Sequence, residues 1–438
     1  MKRTLSLLAC ILVSHAPLSA QLPDLDPRVR EIVAAVSPQR LDSIVRRLES
    51  FHTRHIHSST TGARGIGAAR QWILEEMRRS SPRLRVELDR YRIPKQGPRV
   101  AGEVEIVNVM AVLPGRSERR MYVTGHYDTV ASDSTGRISW TTDFDRPAPG
   151  ANDDGSGTAL TMELARVMAA SGVEFEPTLV FLALAGEEEG LVGAMLHARQ
   201  ARDDGVRIDA LLNNDIVGNV RGGDGLVDGA SVRVFSEDPA DSPSRQLARY
   251  VREQGARYVP GHQVRLIARE DRFGRGGDHT AFNQYGFPGV RFTESRENFA
   301  RQHTPLDTAD GVDAEYLARN ARVNAAALAS LALAPPAPQV NDTLGNPLLG
   351  RGATGYDARL RWARSPGAVA YRIVWRDAWS PDWQHSLVVG DVTEHVFPNL
   401  SIDDYVFGVA AVGARGNESL VSAFVRTRPP WPEITTVP

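Results

Sequence analysis

The apolar residues of this chain recur with two periods. Between residues 38 and about 80 the spacing is helical: Ile66, Ala69, Ile73 and Met77 fall three and four apart and share one face. From residue 104 the pattern changes. Residues 104–112 and Met121-Tyr122-Val123-Thr124 read as strands, and Leu160, Leu164, Val167 and Met168 as the face of a helix. The run from Thr178 to Ala185 is continuously apolar, as in a strand covered on both faces. A helix from about Leu191 to Arg202 and a strand from Ile208 to Asp215 follow. Later come a helix near 242–254, a strand at Val290-Arg291-Phe292 and an Ala-rich helix from Asp313 to Leu333. Strands alternating with helices of this length predict an α/β domain with a mostly parallel central sheet flanked by helices.

The Pro-rich stretch Ala334-Pro335-Pro336-Ala337-Pro338 ends that domain, since proline cannot continue a helix. Beyond it the pattern is all-β. Leu360-Arg361-Trp362, Tyr371 to Trp375 and Tyr405 to Val412 are strand-like runs separated by turn residues, which predicts a small β-sandwich. Trp362, Tyr371, Tyr405 and the turn Gly416-Asn417-Glu418-Ser419 give this part its resemblance to a fibronectin type III domain. The expected organisation is a signal peptide at 1–20, an N-terminal segment at 21–37, the α/β domain at 38–334, a semi-rigid linker at 335–349, the sandwich at 350–428 and a tail at 429–438.

The signal peptide rests on Lys2 and Arg3, the apolar stretch Leu5 to Val13, and the small-residue end Leu18-Ser19-Ala20. The apolar stretch is too short to span a bilayer, so the expectation is export, to the medium or a periplasm, with no membrane span. Charge narrows the partners further. The chain has 51 basic and 53 acidic residues, and its arginines form no stripe, which argues against nucleic acid. Cys10, in the segment expected to be removed, is the sole cysteine, so a metal site in the mature chain must use His, Asp and Glu.

Those residues fall in a pattern. Gly125-His126-Tyr127-Asp128 follows a strand, and Asn152-Asp153-Asp154-Gly155-Ser156-Gly157 precedes a helix. Gly186-Glu187-Glu188-Glu189-Gly190 follows the most apolar strand, and Asn213-Asn214-Asp215 ends another. Gln302-His303-Thr304-Pro305-Leu306-Asp307 lies in a later loop. Singly, each reads as a turn, an N-cap or an acidic helix start. Jointly they collect at the carboxyl edge of a predicted sheet, where open α/β sheets bind ligands. The cluster His52, His55, His57 lies between helical patterns with no carboxylate set beside it and reads as loop or packing residues.

With these motifs in this order, and Ser50-Phe51-His52-Thr53-Arg54 before them, residues 38–335 resemble the zinc aminopeptidases of the bacterial leucyl aminopeptidase type, relatives of glutamate carboxypeptidase and glutaminyl cyclase. The resemblance implies two zinc ions bridged by Asp153, with His126 and Asp215 completing one site and Glu188 and His303 the other. It implies Glu187 as general base and Asp128 as the residue that orients His126 by accepting a hydrogen bond from its far nitrogen. The implied substrate is a peptide with a free N-terminal amine. Gly277-Asp278-His279 with Phe282 matches a further segment beside the site, and Glu294 is a candidate reader of the substrate amine.

A carboxypeptidase on this scaffold would need a cationic pocket, for which Arg291 and Arg301 are candidates. A glutaminyl cyclase of this fold uses one zinc, and His126 argues against it. A non-catalytic binding protein is disfavoured because all the ligand positions are filled. No G-x-S-x-G or G-x-x-x-x-G-K-[ST] is present. The sandwich is expected to contact a surface, polymer or partner, or to act as a spacer.

Overall fold

The computed structural model describes residues 25–138 and 140–427, so the predicted signal peptide and the tail at 429–438 lie outside the described residues. The chain runs α1 (Pro27–Ala34), α2 (Pro38–Glu49), α3 (Gly65–Ser80), β1 (Arg85–Ile93), β2 (Val104–Leu113), β3 (Arg120–His126), α4 (Gly155–Ala170), β4 (Thr178–Leu184), α5 (Val192–Asp203), β5 (Ile208–Asn214), β6 (Ser231–Ser236), α6 (Pro243–Tyr258), β7 (Gln263–Ile267), α7 (Asp278–Gln284), β8 (Gly289–Glu294) and α8 (Ala314–Ala332). Eight strands form one sheet in the order β1-β2-β4-β3-β5-β8-β6-β7. The central four, β4-β3-β5-β8, are parallel, and the antiparallel pairings β1-β2, β2-β4 and β8-β6 lie to either side.

This is the α/β architecture the alternating pattern predicts, with more antiparallel pairing at the flanks. The apolar run of β4 shows why the centre was legible. Leu179, Phe181 and Ala183 face the core shared with α1 to α4, α6 and α8. Val180, Leu182 and Leu184 face the opposite core, with Ala194, Ala198 and Ala201 of α5 and Phe282 of α7. Burial on both faces removes the polar alternation that a half-exposed strand would show. The flanking strands β1, β6 and β7, and the helices α1 and α7, carry weaker patterns and were not predicted.

Two glycines let α4 come down onto the sheet edge. A Cβ on Gly125 of β3 would lie 2.5 Å from the main chain of Gly157, and one on Gly157 would lie 2.1 Å from the carbonyl oxygen of Asn214. Neither clash is with a side chain that could swing away. The first turn of α4 therefore sits directly over the ends of β3 and β5.

The C-terminal part contains two antiparallel sheets. One is three-stranded, β13-β10-β9, built from β9 (Leu349–Arg351), β10 (Ala358–Arg361) and β13 (Glu394–Phe397). The other is four-stranded, β12-β11-β14-β15, built from β11 (Ala368–Asp377), β12 (His385–Val389), β14 (Tyr405–Gly413) and β15 (Ser422–Ala423). Trp362, Tyr371, Ile373, Phe407 and Val409 fill the space between them. Within 335–349, Val340 is buried in this same core, and its carbonyl accepts a bond from the Leu348 amide (2.7 Å). The unit sits against the α/β part through Arg376 on Asp241 (2.7 Å), Trp383 Nε1 on Gln246 (3.0 Å) and Asn417 on Asp26 (2.8 Å).

Candidate metal centre

Adjacent parallel strands deliver their carboxyl ends to one edge. His126 is the last residue of β3, Glu187 and Glu188 follow β4, Asp215 follows β5, and His303 lies in the loop after β8. Asp153 belongs to the turn that enters α4, and the Asp153–Asp154 peptide is cis. The structure brings all of these into two contiguous donor groups. His126, Glu187 and Asp215 form one, and Asp153, Glu188 and His303 the other, with the donor atoms of each group within 4.8 Å of one another.

Asp153 joins the groups. Its Oδ1 is 3.3 Å from His126 Nε2, and its Oδ2 is 3.1 Å from His303 Nε2. His126 Nε2 is also 3.8 Å from Asp215, and His303 Nε2 is 3.2 Å from Glu188. One carboxylate thus faces both groups, an oxygen to each.

The donor chemistry fits a pair of divalent cations. The two groups hold four carboxylates and two imidazoles, so four negative charges are gathered in a nearly dry site. Oxygen and imidazole nitrogen ligands without thiolate suit zinc and its first-row neighbours. Glu188 Oε1 is buried with no hydrogen-bond partner, as expected for an atom meant to bind a metal. The electrostatics agree. Burial pushes the Glu187 carboxyl well above its usual range, with Asp215 and Glu188 adding to the push. The charge of Glu188 is the leading influence on His303, whose imidazole is pushed up to about 11. Positive charge is strongly favoured here.

Asp128 is placed differently from expectation. Its carboxylate is 3.6 Å from His126 Nδ1, beyond hydrogen-bond range, and the nearer partner of Nδ1 is the main-chain carbonyl of Asp128 at 3.2 Å. That carbonyl can only accept, so it fixes the proton on Nδ1 and leaves Nε2 free to ligate. The carboxylate is occupied elsewhere: it accepts from the main-chain amides of Glu187 (3.3 Å) and Glu188 (3.1 Å). Asp128 therefore holds the loop that carries both glutamates.

Three more buried carboxylates hold the other loops. Asp154 accepts from the amides of His126 (3.0 Å), Gly157 (2.8 Å) and Ile216 (3.2 Å), which ties β3, α4 and the turn after β5 together. Asp307 accepts from the amides of Asn152 (3.1 Å) and Asp153 (2.8 Å). Glu294, a candidate for reading the substrate amine, is fully buried and accepts from Asn152 Nδ2 (2.9 Å) and the Asn219 amide (2.8 Å). It orients Asn152 and has no free face for a substrate. Arg54 is also fully buried, donating to the carbonyls of Leu48, Tyr127, Pro149 and Gly150. Arg54 and Asp307 both fall within the sequence motifs, where nothing marks either as a clamp. Their spacing from the donors carries no local signal, because each acts on main-chain groups brought close only by the fold.

Arg291 and Arg301, the candidates for a cationic pocket, are both engaged. Arg291 is fully buried between Asp215 (2.9 Å) and Asp271 (3.0 Å), and Arg301 pairs with Asp310 (3.0 Å). Asp278 begins α7 with both carboxylate oxygens buried and unpartnered, its carboxyl pushed up to about 8 mainly by burial. His279 packs in the interior, its Nε2 2.8 Å from the Glu270 carbonyl. The histidine cluster belongs to neither donor group. His52 contacts the Asp145 carbonyl (2.9 Å), His57 accepts from the Ala101 amide (3.1 Å), and His55 lies 3.5 Å from Glu189.

Comparison with known proteins places this arrangement. The sequence model of Peptidase family M28 matches residues 108–328, the stretch that holds every donor residue. A protein of Pyricularia oryzae named "Probable zinc metalloprotease" is 39% identical over 92% of this chain and 85% of its own length. The LapA aminopeptidase of Legionella pneumophila shares the fold with a TM-score of 0.54, at 19% identity over 76% of this chain and 80% of its own. A glutaminyl cyclase of Porphyromonas gingivalis shares it with a TM-score of 0.53, at 17% identity over 67% of this chain and 98% of its own. With its central sheet, its edge of donor residues and these relatives, the chain belongs to Peptidase family M28.

Proposed function

We propose that this chain is a zinc-dependent aminopeptidase that hydrolyses the first peptide bond of peptides with a free N-terminal amine. The observation that carries the reading is Asp153, with one carboxylate oxygen toward each of two donor groups and Glu187 beside them. His126 and Asp215 would hold one ion, Glu188 and His303 the other, and Asp153 both. The name of the Pyricularia oryzae relative supports zinc, and the LapA likeness supports the aminopeptidase fold.

When bound, such a pair of ions supplies Lewis acidity toward a carbonyl and acidifies water. Glu187 supplies the proton relay. Its carboxylate takes a proton from the attacking water and hands it to the departing amine. The bonds from the Glu187 and Glu188 amides to Asp128 keep the relay and its neighbouring ligand in register. Arg291 holds Asp215 from behind.

We also propose export, from Lys2, Arg3 and the apolar stretch that follows. For the C-terminal unit we propose a fibronectin type III-like sandwich. Its three- and four-stranded antiparallel sheets around Trp362 and Tyr371 support that reading.

The test is metal analysis with hydrolysis of aminoacyl chromogenic substrates, each in free-amine and N-blocked form, for the wild type and Glu187→Gln. Two zinc ions per chain, turnover of free-amine substrates alone, and a loss of about 10²- to 10⁴-fold in the variant with metal retained are expected. Turnover of the blocked forms would move the assignment to another peptidase class. Cyclisation of N-terminal glutaminyl peptides without hydrolysis would make the enzyme a cyclase.

A further inference from the structure

The loop between β1 and β2 brings a cation to the donor edge. Strand β2 runs antiparallel to β4, with Val109 opposite Ala183, so its first residues lie beside the carboxyl end of β4 and the turn that carries Glu187 and Glu188. There Arg99 Nη1 donates to the main-chain carbonyl of Glu188 (2.9 Å). The same guanidinium lies over Trp140, 4.8 Å from the ring centre. Trp140 comes from the long segment between β3 and α4, so three separate loops meet at this arginine.

Arg99 is exposed, yet it is held. The next residue, Val100, is buried, and the Ala101 amide donates to His57 Nε2 (3.1 Å), which anchors the loop. Stacking on the indole fixes the plane of the guanidinium. One N–H of its fork is spent on Glu188, and the side chain makes no ion pair with any described residue. The remaining donors face solvent and match the planar shape of a carboxylate. The other arginines near this edge are engaged. Arg291 and Arg301 pair with aspartates, Arg54 serves main-chain carbonyls, and Arg275, in the loop between β7 and α7, donates to Gln302 (3.3 Å).

Distance limits what can reach it. The carbonyl that Arg99 holds and the carboxylate donor belong to the same residue, Glu188. Arg99 therefore stands within about 10 Å of that donor, and a peptide residue spans about 3.3–3.6 Å. This leaves room for one or two residues beyond a scissile bond at the donor groups. Charge limits the ligand further. A short peptide has a positive and a negative end, and the site offers a carboxylate-rich edge and, a short span away, an arginine.

We propose that Arg99 receives the C-terminal carboxylate of the substrate, so that the enzyme favours dipeptides and tripeptides with a free C-terminus. The assignment rests on the aminopeptidase reading. A longer chain presents a neutral peptide group to Arg99 and forgoes the charged bond.

The test is kcat/KM of the full, metal-loaded chain, read as released leucine, for leucyl-alanine, leucyl-alanyl-alanine and a leucyl hexapeptide, each as free acid and C-terminal amide. An acid-to-amide ratio of about tenfold is expected for the two short peptides and about one for the hexapeptide. The preference should reside in KM and weaken at high ionic strength. Arg99→Gln, which keeps a side-chain donor without the charge, should bring the ratio for the short peptides to about one. Taking the ratio within each enzyme cancels any effect of the substitution on Glu188. Equal turnover of acids and amides by the wild type would overturn this assignment and leave the aminopeptidase reading standing. A ratio unchanged in Arg99→Gln would also overturn it and place the reader elsewhere, Arg275 included. If leucyl-aspartyl amide gained as much as leucyl-alanine, Arg99 would be reading an acidic side chain and the preference for short peptides would fall. No release of leucine from any of these peptides would overturn the aminopeptidase reading itself, and this assignment with it.

Discussion

Asp307 touches no donor atom, yet the position of Asp153 rests on it. Its carboxylate receives the Asn152 amide on both oxygens (3.1 and 3.2 Å) and the Asp153 amide on Oδ2 (2.8 Å). Asp307→Ala leaves two buried amides unsatisfied, each costing about 1–3 kcal/mol, so about 3 kcal/mol in total once the loop has relaxed. Since 1.4 kcal/mol is tenfold, the loop that presents Asp153 would lose its arrangement by about 100-fold, the upper end of what residues supporting a metal ligand usually contribute. Asp307→Asn should cost about tenfold or less, because one oxygen can still take the Asp153 amide and the longer bond from Asn152. The assay is zinc affinity by chelator competition alongside kcat/KM across a range of free zinc. Excess zinc should restore much of the turnover of Asp307→Ala, and none of that of Glu187→Gln. Wild-type zinc affinity and kcat/KM in Asp307→Ala would refute the argument.

Two further substitutions probe other parts of the fold. Arg291→Met removes the buried cation shared by Asp215 and Asp271, leaving Asp215 without an arginine and Asp271 with Arg272 alone (3.1 Å), and should lower stability by about 3–5 kcal/mol in denaturant unfolding. Arg291→Lys should not restore it, since one ammonium cannot span Asp215 and Asp271, and an unchanged midpoint in either variant would contradict this. Asp26 joins the start of α1 to Asn417. Burial raises its carboxyl, but bonds from Arg28 and Asn417 outweigh that and hold it at about 2, against an ordinary 3.8. Its contribution is therefore present above pH 3.8 and lost as pH falls toward 2. Asp26→Asn should be less stable than wild type by about 1 kcal/mol at pH 6, after allowance for solvent screening, with the gap closing in acid. A gap that is constant with pH would assign the effect to packing instead of charge.

What the sequence disclosed follows from where the physical signal is local. The run in β4 is apolar at every position because both faces are covered, and the donors at the ends of β3, β4 and β5 stand out by residue type at a strand boundary. The helical stretch at 38–80 was legible as helix, but not as two helices separated by residues 50–64, because Phe51 and Ile56 are themselves buried in the core between them. Strand β1 is not legible because exposed residues interrupt it on both faces, Arg85 and Glu87 on one and Arg90 and Arg92 on the other. The clamps were illegible for a different reason. Asp128 was assigned to a histidine side chain when its partners are the amides of Glu187 and Glu188, and main-chain amides are the same at every residue. Glu294, a candidate reader of the substrate amine, carries no local mark of burial. Here two asparagines satisfy it inside.

Taken together, those clamps have a mechanical consequence. Asp128 grips the loop after β4, Asp154 the end of β3 and the turn after β5, Asp307 the entry to α4, and Glu294 both Asn152 and Asn219. Every donor-bearing loop except that of His303 has its main chain fastened by a carboxylate from another loop, so none can be rebuilt without disturbing its neighbours. Residues 132–138, 140–147 and 221–229 are largely exposed by comparison. Evolution of new substrate preferences in this scaffold should therefore proceed by lengthening and recolouring those exposed segments, while the clamped edge is inherited as a unit.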